Sequence, residues 1–120
     1  RRDAQGDGAV RRGDPHFSAA MCLTHRDGQL QIEVEAIALA GHLKLNKLVL
    51  FWDNNSITID GAVSLSDSTD QIARFKAVHW NTIEIDGHDQ AAIAAAIEAA
   101  HKSDRPTFIA CKTIIGFGAP

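Results

Sequence analysis

Cysteine is scarce in this 120-residue chain, with Cys22 and Cys111 the two thiols. Two cysteines supply neither a disulfide framework nor a four-thiolate zinc site, and both sit inside apolar runs, where buried, unreactive thiols are expected. A basic surplus is missing too. Twelve Lys and Arg stand against fifteen Asp and Glu, a net charge of -3, which speaks against sequence-independent nucleic-acid binding. Apolar runs such as Ala36 to Ala40 and Leu48 to Trp52 fall far short of the ~20 residues a membrane span needs. Arg1, Arg2, Arg11 and Arg12 lead into polar sequence, not into the apolar stretch of a signal peptide, so the cytoplasm is the expected compartment. No histidine pair at i, i+4 and no His–Cys cluster points to zinc, and Ser64, Ser66 and Ser68 lack the setting of a nucleophile elbow.

What remains is ordinary globular composition: 45% hydrophobic, 22% charged, mean hydropathy -0.11. A domain of this size buries roughly 65% of its extended-chain surface. Residues 1–20, rich in Arg, Asp and Gly and without apolar periodicity, read as an atypical leader in loop or disordered form. Residues 21–120 have a different texture. The runs Ala20 to Thr24, Leu48 to Trp52, Thr82 to Ile85 and Thr107 to Lys112 predict strands. Between them, Gln31 to Leu43, Asp70 to Val78 and a segment capped by Asp89 and reaching about Lys102 carry helical spacing, the last with Ile93 and Ile97 as its core stripe. Strands alternating with helices of ten to fourteen residues predict an α/β fold, a parallel sheet with flanking helices.

Ligands of open parallel sheets bind beyond the carboxyl ends of the strands. Asp27 and Gly28 follow the first strand there, and Asp53, Asn54 and Asn55 close the second. Asp27 and Asn55 are 28 positions apart, the span of one helix and one strand, so the topology sets them side by side. A carboxylate, an amide oxygen and a backbone carbonyl are hard ligands suited to magnesium, which takes its remaining oxygens from a bound diphosphate. Gly28 lets backbone approach phosphate and offers its N–H. Asp, Asn and Gly are equally the residues of turns, so spacing alone leaves a ligand set and plain turn chemistry both open.

Longer motifs carry a resemblance. Glu35 to Gly61 (EAIALAGHLKLNKLVLFWDNNSITIDG), Ile85 to Asp89 (IDGHD) and Arg105 to Pro120 (RPTFIACKTIIGFGAP) closely resemble transketolases, the tail those of the bacterial type. The resemblance runs from about Met21 to Pro120 and implies part of the N-terminal thiamine-diphosphate-binding domain. It implies a cytoplasmic homodimer of the pentose phosphate pathway that moves a two-carbon ketol unit between sugar phosphates. It further implies thiamine diphosphate with Mg2+, or another divalent cation such as Ca2+, and no nucleic-acid or membrane partner. Carried over by position, Asp27 and Asn55 match metal ligands that also meet the cofactor. Ile57 matches a backbone-carbonyl ligand of the metal, and Gly28 a donor to the diphosphate.

Two departures stand beside these matches. Arg26 replaces the glycine that opens the family's motif, and the segment after Gly28 is about two residues short. Glu33 is thereby a displaced counterpart of the family's glutamate, and Ile32 holds the glutamate's place five residues past the aspartate. Isolated, the 120 residues are expected to be inactive, because the pyrimidine-binding domain lies outside the resemblance. An inactive or decayed α/β copy, or another enzyme of the same cofactor such as a pyruvate dehydrogenase component, remain as alternatives. Gly6-Asp7-Gly8 follows no strand and is set aside. His16, His25, His42, His79, His88 and His101 read as surface or capping residues, Gly116-Phe117-Gly118 as a turn, and Trp52 as core beside the metal loop.

Overall fold

The computed structural model describes residues 19–24, 34–59 and 61–119. In chain order the elements are β1 (Ala19–Thr24), α1 (Val34–His42), β2 (Leu48–Asn54), β3 (Ile57–Thr58), β4 (Gly61–Ala62), a 3-10 turn (Val63–Leu65), α2 (Gln71–Ala77), β5 (Asn81–Asp86), α3 (Gln90–His101) and β6 (Thr107–Lys112). Four strands form one parallel sheet in the order β1-β2-β6-β5, and β3 pairs with β4 in a small antiparallel ribbon. The α/β expectation holds, with helices on both faces of the sheet.

Alternation along the central strands decides which residue faces which layer. Leu50 and Trp52 of β2 and Phe108 and Ala110 of β6 join Ile37 and Ala40 of α1, Phe75 of α2 and Trp80 in one buried cluster. On the opposite face, Val49 and Ile109 meet Ala96 and Ala100 of α3. Both strands are covered on both sides, which is why their sequences read as continuous apolar runs. The first cluster centres on Phe75, whose ring stacks on Phe108 at 3.8 Å and meets Trp80 edge-on at 5.0 Å.

The helix starts follow their polar residues. Asp70 accepts from the Ala73 N–H at 2.9 Å, and Asp89 accepts from Ala91 and Ala92 at 2.9 and 3.1 Å. Each carboxylate satisfies donors that the first helical turn leaves over. The stripe of α3 differs from expectation. Ala96 and Ala100 are buried, whereas Ile93 and Ile97 are half-buried beside them. Methyl-sized side chains let α3 close on a sheet surface already filled by Val49 and Ile109, and the larger isoleucines flank that contact. Cys111 is half-buried, not interior, at the end of β6. Cys22 side-chain burial lies outside what is described. Trp52 is core, as expected.

Candidate functional site

All four strands of the sheet point the same way, so their carboxyl ends share one edge. Register aligns them: Thr24 lies across from Asp53, Asp53 from Cys111, and Cys111 from Ile85. One step further, Asn54 faces Lys112 and Lys112 faces Asp86. The polar segments Asp53-Asn54-Asn55, Lys112-Thr113 and Asp86-Gly87-His88 therefore converge, because each terminates an apolar run at the same height.

Beyond β2 the chain turns sharply. The Asn55 side-chain oxygen accepts the Ile57 N–H at 3.0 Å, an Asx turn. Ser56, between them, holds a left-handed conformation with φ of 62°. Its carbonyl accepts the Val63 N–H at 3.0 Å, anchoring the turn to the end of the β3–β4 ribbon. The Asn55 amide oxygen and the Ile57 backbone are thus brought together. That oxygen keeps a second lone pair beyond the one used by Ile57. Asp27, Gly28, Arg26 and Glu33 lie outside the described residues, as do His16 and His25.

The neighbouring strand end is tied to β2. The Thr113 hydroxyl donates to the Asp53 carboxylate, and the Thr113 N–H donates to the Asn54 carbonyl at 3.1 Å. The Gly87 N–H donates to the Lys112 carbonyl at 2.8 Å, and a Cβ on Gly87 would stand 2.5 Å from the Thr113 methyl. A cleft of about 670 Å³ opens here, lined by Asn54, Asp86, His88, Lys112, Thr113 and Phe117 among others. A smaller hollow of about 390 Å³ lies on the other side of Asn54, against Trp52, Ser56, Val63 and Gln71.

His88 departs from the surface-or-cap reading. It is half-buried, its Nε2 accepts the Ile114 N–H at 2.9 Å, and its ring stacks on Phe117 at 3.8 Å. The turn at Gly116-Phe117-Gly118 is present, with φ of 69° and 79° at the two glycines, and it lays Phe117 across the imidazole. His79 occupies a turn and His42 and His101 close helices, as capping or surface positions should.

Sequence reasoning named Asn55 and Ile57 but missed Thr113, Gly87 and the link to Asp53. A signal existed: laying TFIACK in parallel register on LVLFWDN places Thr113 one residue past the partner of Asn54. The electrostatic feature that stands out lies elsewhere. Hydrogen bonds from the Arg105 guanidinium hold the exposed Asp104 carboxyl below the usual carboxylate range, and Asp104 in turn raises Arg105. This pair precedes β6, at the opposite edge of the sheet from the converging polar segments.

The donor chemistry is that of a hard cation. Among the described residues no group of three or more His, Cys, Asp or Glu side chains is placed to hold a metal ion. An amide oxygen and a backbone carbonyl fit Mg2+ or Ca2+, which accept few protein ligands when phosphate oxygens complete the shell. The residues present fit such a group in part, the remaining candidates being Asp27 and Gly28.

Comparison with known proteins places the chain. Residues 9–120 match the family described as transketolase, thiamine diphosphate binding domain. The chain is 50% identical over 110 residues to a transketolase of Sinorhizobium medicae, covering 86% of this chain and 16% of that protein. It is 56% identical over 90 residues to transketolase 2 of Aliivibrio fischeri, covering 74% of this chain and 14% of that protein. Among solved structures, a Pichia stipitis transketolase in complex with sedoheptulose-7-phosphate superposes with a TM-score of 0.72 at 44% identity, over 81% of this chain and 15% of that one. The chain therefore spans about one-seventh of the length of the relatives it matches.

Proposed function

This chain belongs to the transketolase thiamine diphosphate-binding domain family, and on that premise we propose that it supplies the metal and diphosphate side of a transketolase active site. The reaction is transfer of a two-carbon ketol unit between sugar phosphates, in keeping with the sugar phosphate held by the Pichia stipitis relative. Residues 21–120, within the matched span 9–120, form part of the diphosphate-and-metal domain. The same reading carries a cytoplasmic homodimer serving the pentose phosphate pathway, with neither nucleic acid nor membrane as partner. Among the described residues, no helix is long and apolar enough to cross a membrane.

The observation that carries the site is the Asx turn at Asn55, in which its amide oxygen accepts the Ile57 N–H just beyond β2. Asn55 is proposed to give its amide oxygen to the cation and Ile57 its carbonyl. Asp27 is the third ligand: Thr24 faces Asp53, and three residues of chain span about 10 Å at most. Gly28 offers its N–H to the diphosphate, and Glu33 is the displaced acidic counterpart. Thiamine diphosphate, when bound, supplies the carbon nucleophile and the electron sink that ketol transfer needs. The protein orients it and keeps the cleft dry. Isolated, these 120 residues hold only part of such a site and should not turn over sugar phosphates. The pyruvate dehydrogenase alternative gives way to the family match.

Tryptophan fluorescence tests this reading, since Trp52 adjoins the loop. Titrating the product of the complete reading frame with thiamine diphosphate and Mg2+ should give a saturable change that needs the cation and weakens roughly tenfold or more in Asn55→Ala. A signal indifferent to the metal and to Asn55→Ala would sink the assignment and leave an inactive α/β copy.

A further inference from the structure

We infer that Thr113 is a positioning residue for the cation loop, acting through Asp53 and Asn54; the inference rests on the proposed site at Asn55. Four observations converge on it. The Thr113 hydroxyl donates to the Asp53 carboxylate, and its N–H donates to the Asn54 carbonyl at 3.1 Å. Those two residues immediately precede Asn55, so both bonds act on the stretch of backbone from which the loop departs. Gly87 makes room for the Thr113 methyl, since a Cβ there would stand 2.5 Å from it. The Gly87 N–H also holds the Lys112 carbonyl at 2.8 Å.

The parts divide the work. Gly87, having no Cβ, leaves room for the Thr113 methyl beside the β5 loop. With the methyl placed, the hydroxyl is directed at Asp53. A hydroxyl-to-carboxylate bond is charge-assisted and stronger than a neutral one. The ends of β5, β6 and β2 are thereby interlocked at the level where the Asx turn begins. A loop held in its binding-competent form binds at its intrinsic affinity, and one that samples other forms binds more weakly in proportion to the competent fraction. Threonine here combines a methyl seated beside Gly87 with a hydroxyl that holds Asp53. Valine and serine each keep one of these.

The test uses the product of the complete reading frame, titrated with Mg2+ and separately with Ca2+ at saturating thiamine diphosphate, with tryptophan fluorescence as readout. Thr113→Val should raise the apparent Kd for the cation roughly tenfold or more, whereas Thr113→Ser should stay within about threefold of the parent. Asn55→Ala is run alongside. If Asn55→Ala weakens the cation and Thr113→Val does not, the positioning role is wrong while the site stands. If neither weakens it, the site itself is wrong and the inference falls with it. Equal losses in Thr113→Val and Thr113→Ser would overturn the hydroxyl's role in favour of packing alone. Should Thr113→Val fail to fold, Asp53→Asn retains an acceptor oxygen without the charge. A loss of several-fold there supports the inference, and an unchanged Kd overturns it.

Discussion

The indole N–H of Trp80 donates to the backbone carbonyl of Ile37 at 2.8 Å, in the buried interior between α1 and the start of β5. The bond spans 43 positions of sequence and fastens the helix that precedes β2 to the hydrophobic cluster beneath the sheet. Because α1 feeds β2, and β2 ends at Asp53 and Asn54, this contact helps set the height at which the Asn55 turn begins. Trp80→Phe keeps most of the ring but loses the donor, and should destabilise the domain by about 1–2 kcal/mol. Hydrogen exchange of the α1 amides in the complete protein measures it: their opening should become roughly five- to thirty-fold easier.

Gly41 reverses a familiar preference. In an exposed helix interior, alanine is better than glycine by about 0.5–1 kcal/mol. Here a Cβ would run into the carbonyl oxygen of Val78 and press on Trp80. That neighbour is backbone and cannot swing aside, so α1 would have to move off the loop after α2. Gly41→Ala should therefore cost about 1–3 kcal/mol, the range for forcing extra volume into a packed interior. A thermal midpoint equal to or above the parent's would show that α1 sits further from Val78 than described.

Phe75 is fully buried and touches both Phe108 and Trp80. Phe75→Ala should cost about 3–5 kcal/mol, whereas Phe75→Leu, which refills much of the volume, should cost less than half of that. Soluble yield and denaturation midpoint of the two variants give the comparison.

Asp89 caps α3 through two backbone donors. Asp89→Ala should cost about 1 kcal/mol and Asp89→Asn a fraction of it, since the amide oxygen still accepts. Denaturation midpoints that fail to rank parent, Asn and Ala in that order would contradict the capping role.

The Asp104–Arg105 pair gives a pH expectation with a definite sign. Arg105 depresses the folded-state carboxyl, so its contribution is present above the ordinary carboxylate range and fades as pH falls through the depressed value. Asp104 is exposed and Arg105 is partly exposed, so water screens the pair. Asp104→Asn should accordingly leave the denaturation midpoint at neutral pH unchanged within error. A clear drop at neutral pH that disappears in acid would give this ion pair a larger part in stability than its exposure allows.

The alternation of strands and helices was legible in the sequence because hydrophobic periodicity is local: LVLFW and TFIACK announce strands covered on both faces, and Asp70 and Asp89 announce helix starts. Asn55 was legible locally only as turn chemistry closing a strand; the ligand roles proposed for Asn55 and Ile57 came from the motif resemblance, not from periodicity. Sequence by itself could not rank Ala96 and Ala100 above Ile93 and Ile97, because burial on α3 depends on what the facing strands have already filled. Nor could it place β6 between β2 and β5, a neighbour relation set by the whole sheet. The Thr113–Asp53 bond joins residues 60 positions apart and exists only through that strand order and its register. Local patterns thus decided which elements form and where polar residues end them. Packing decided which of those ends meet, because side-chain volumes and strand register are properties of the assembled sheet.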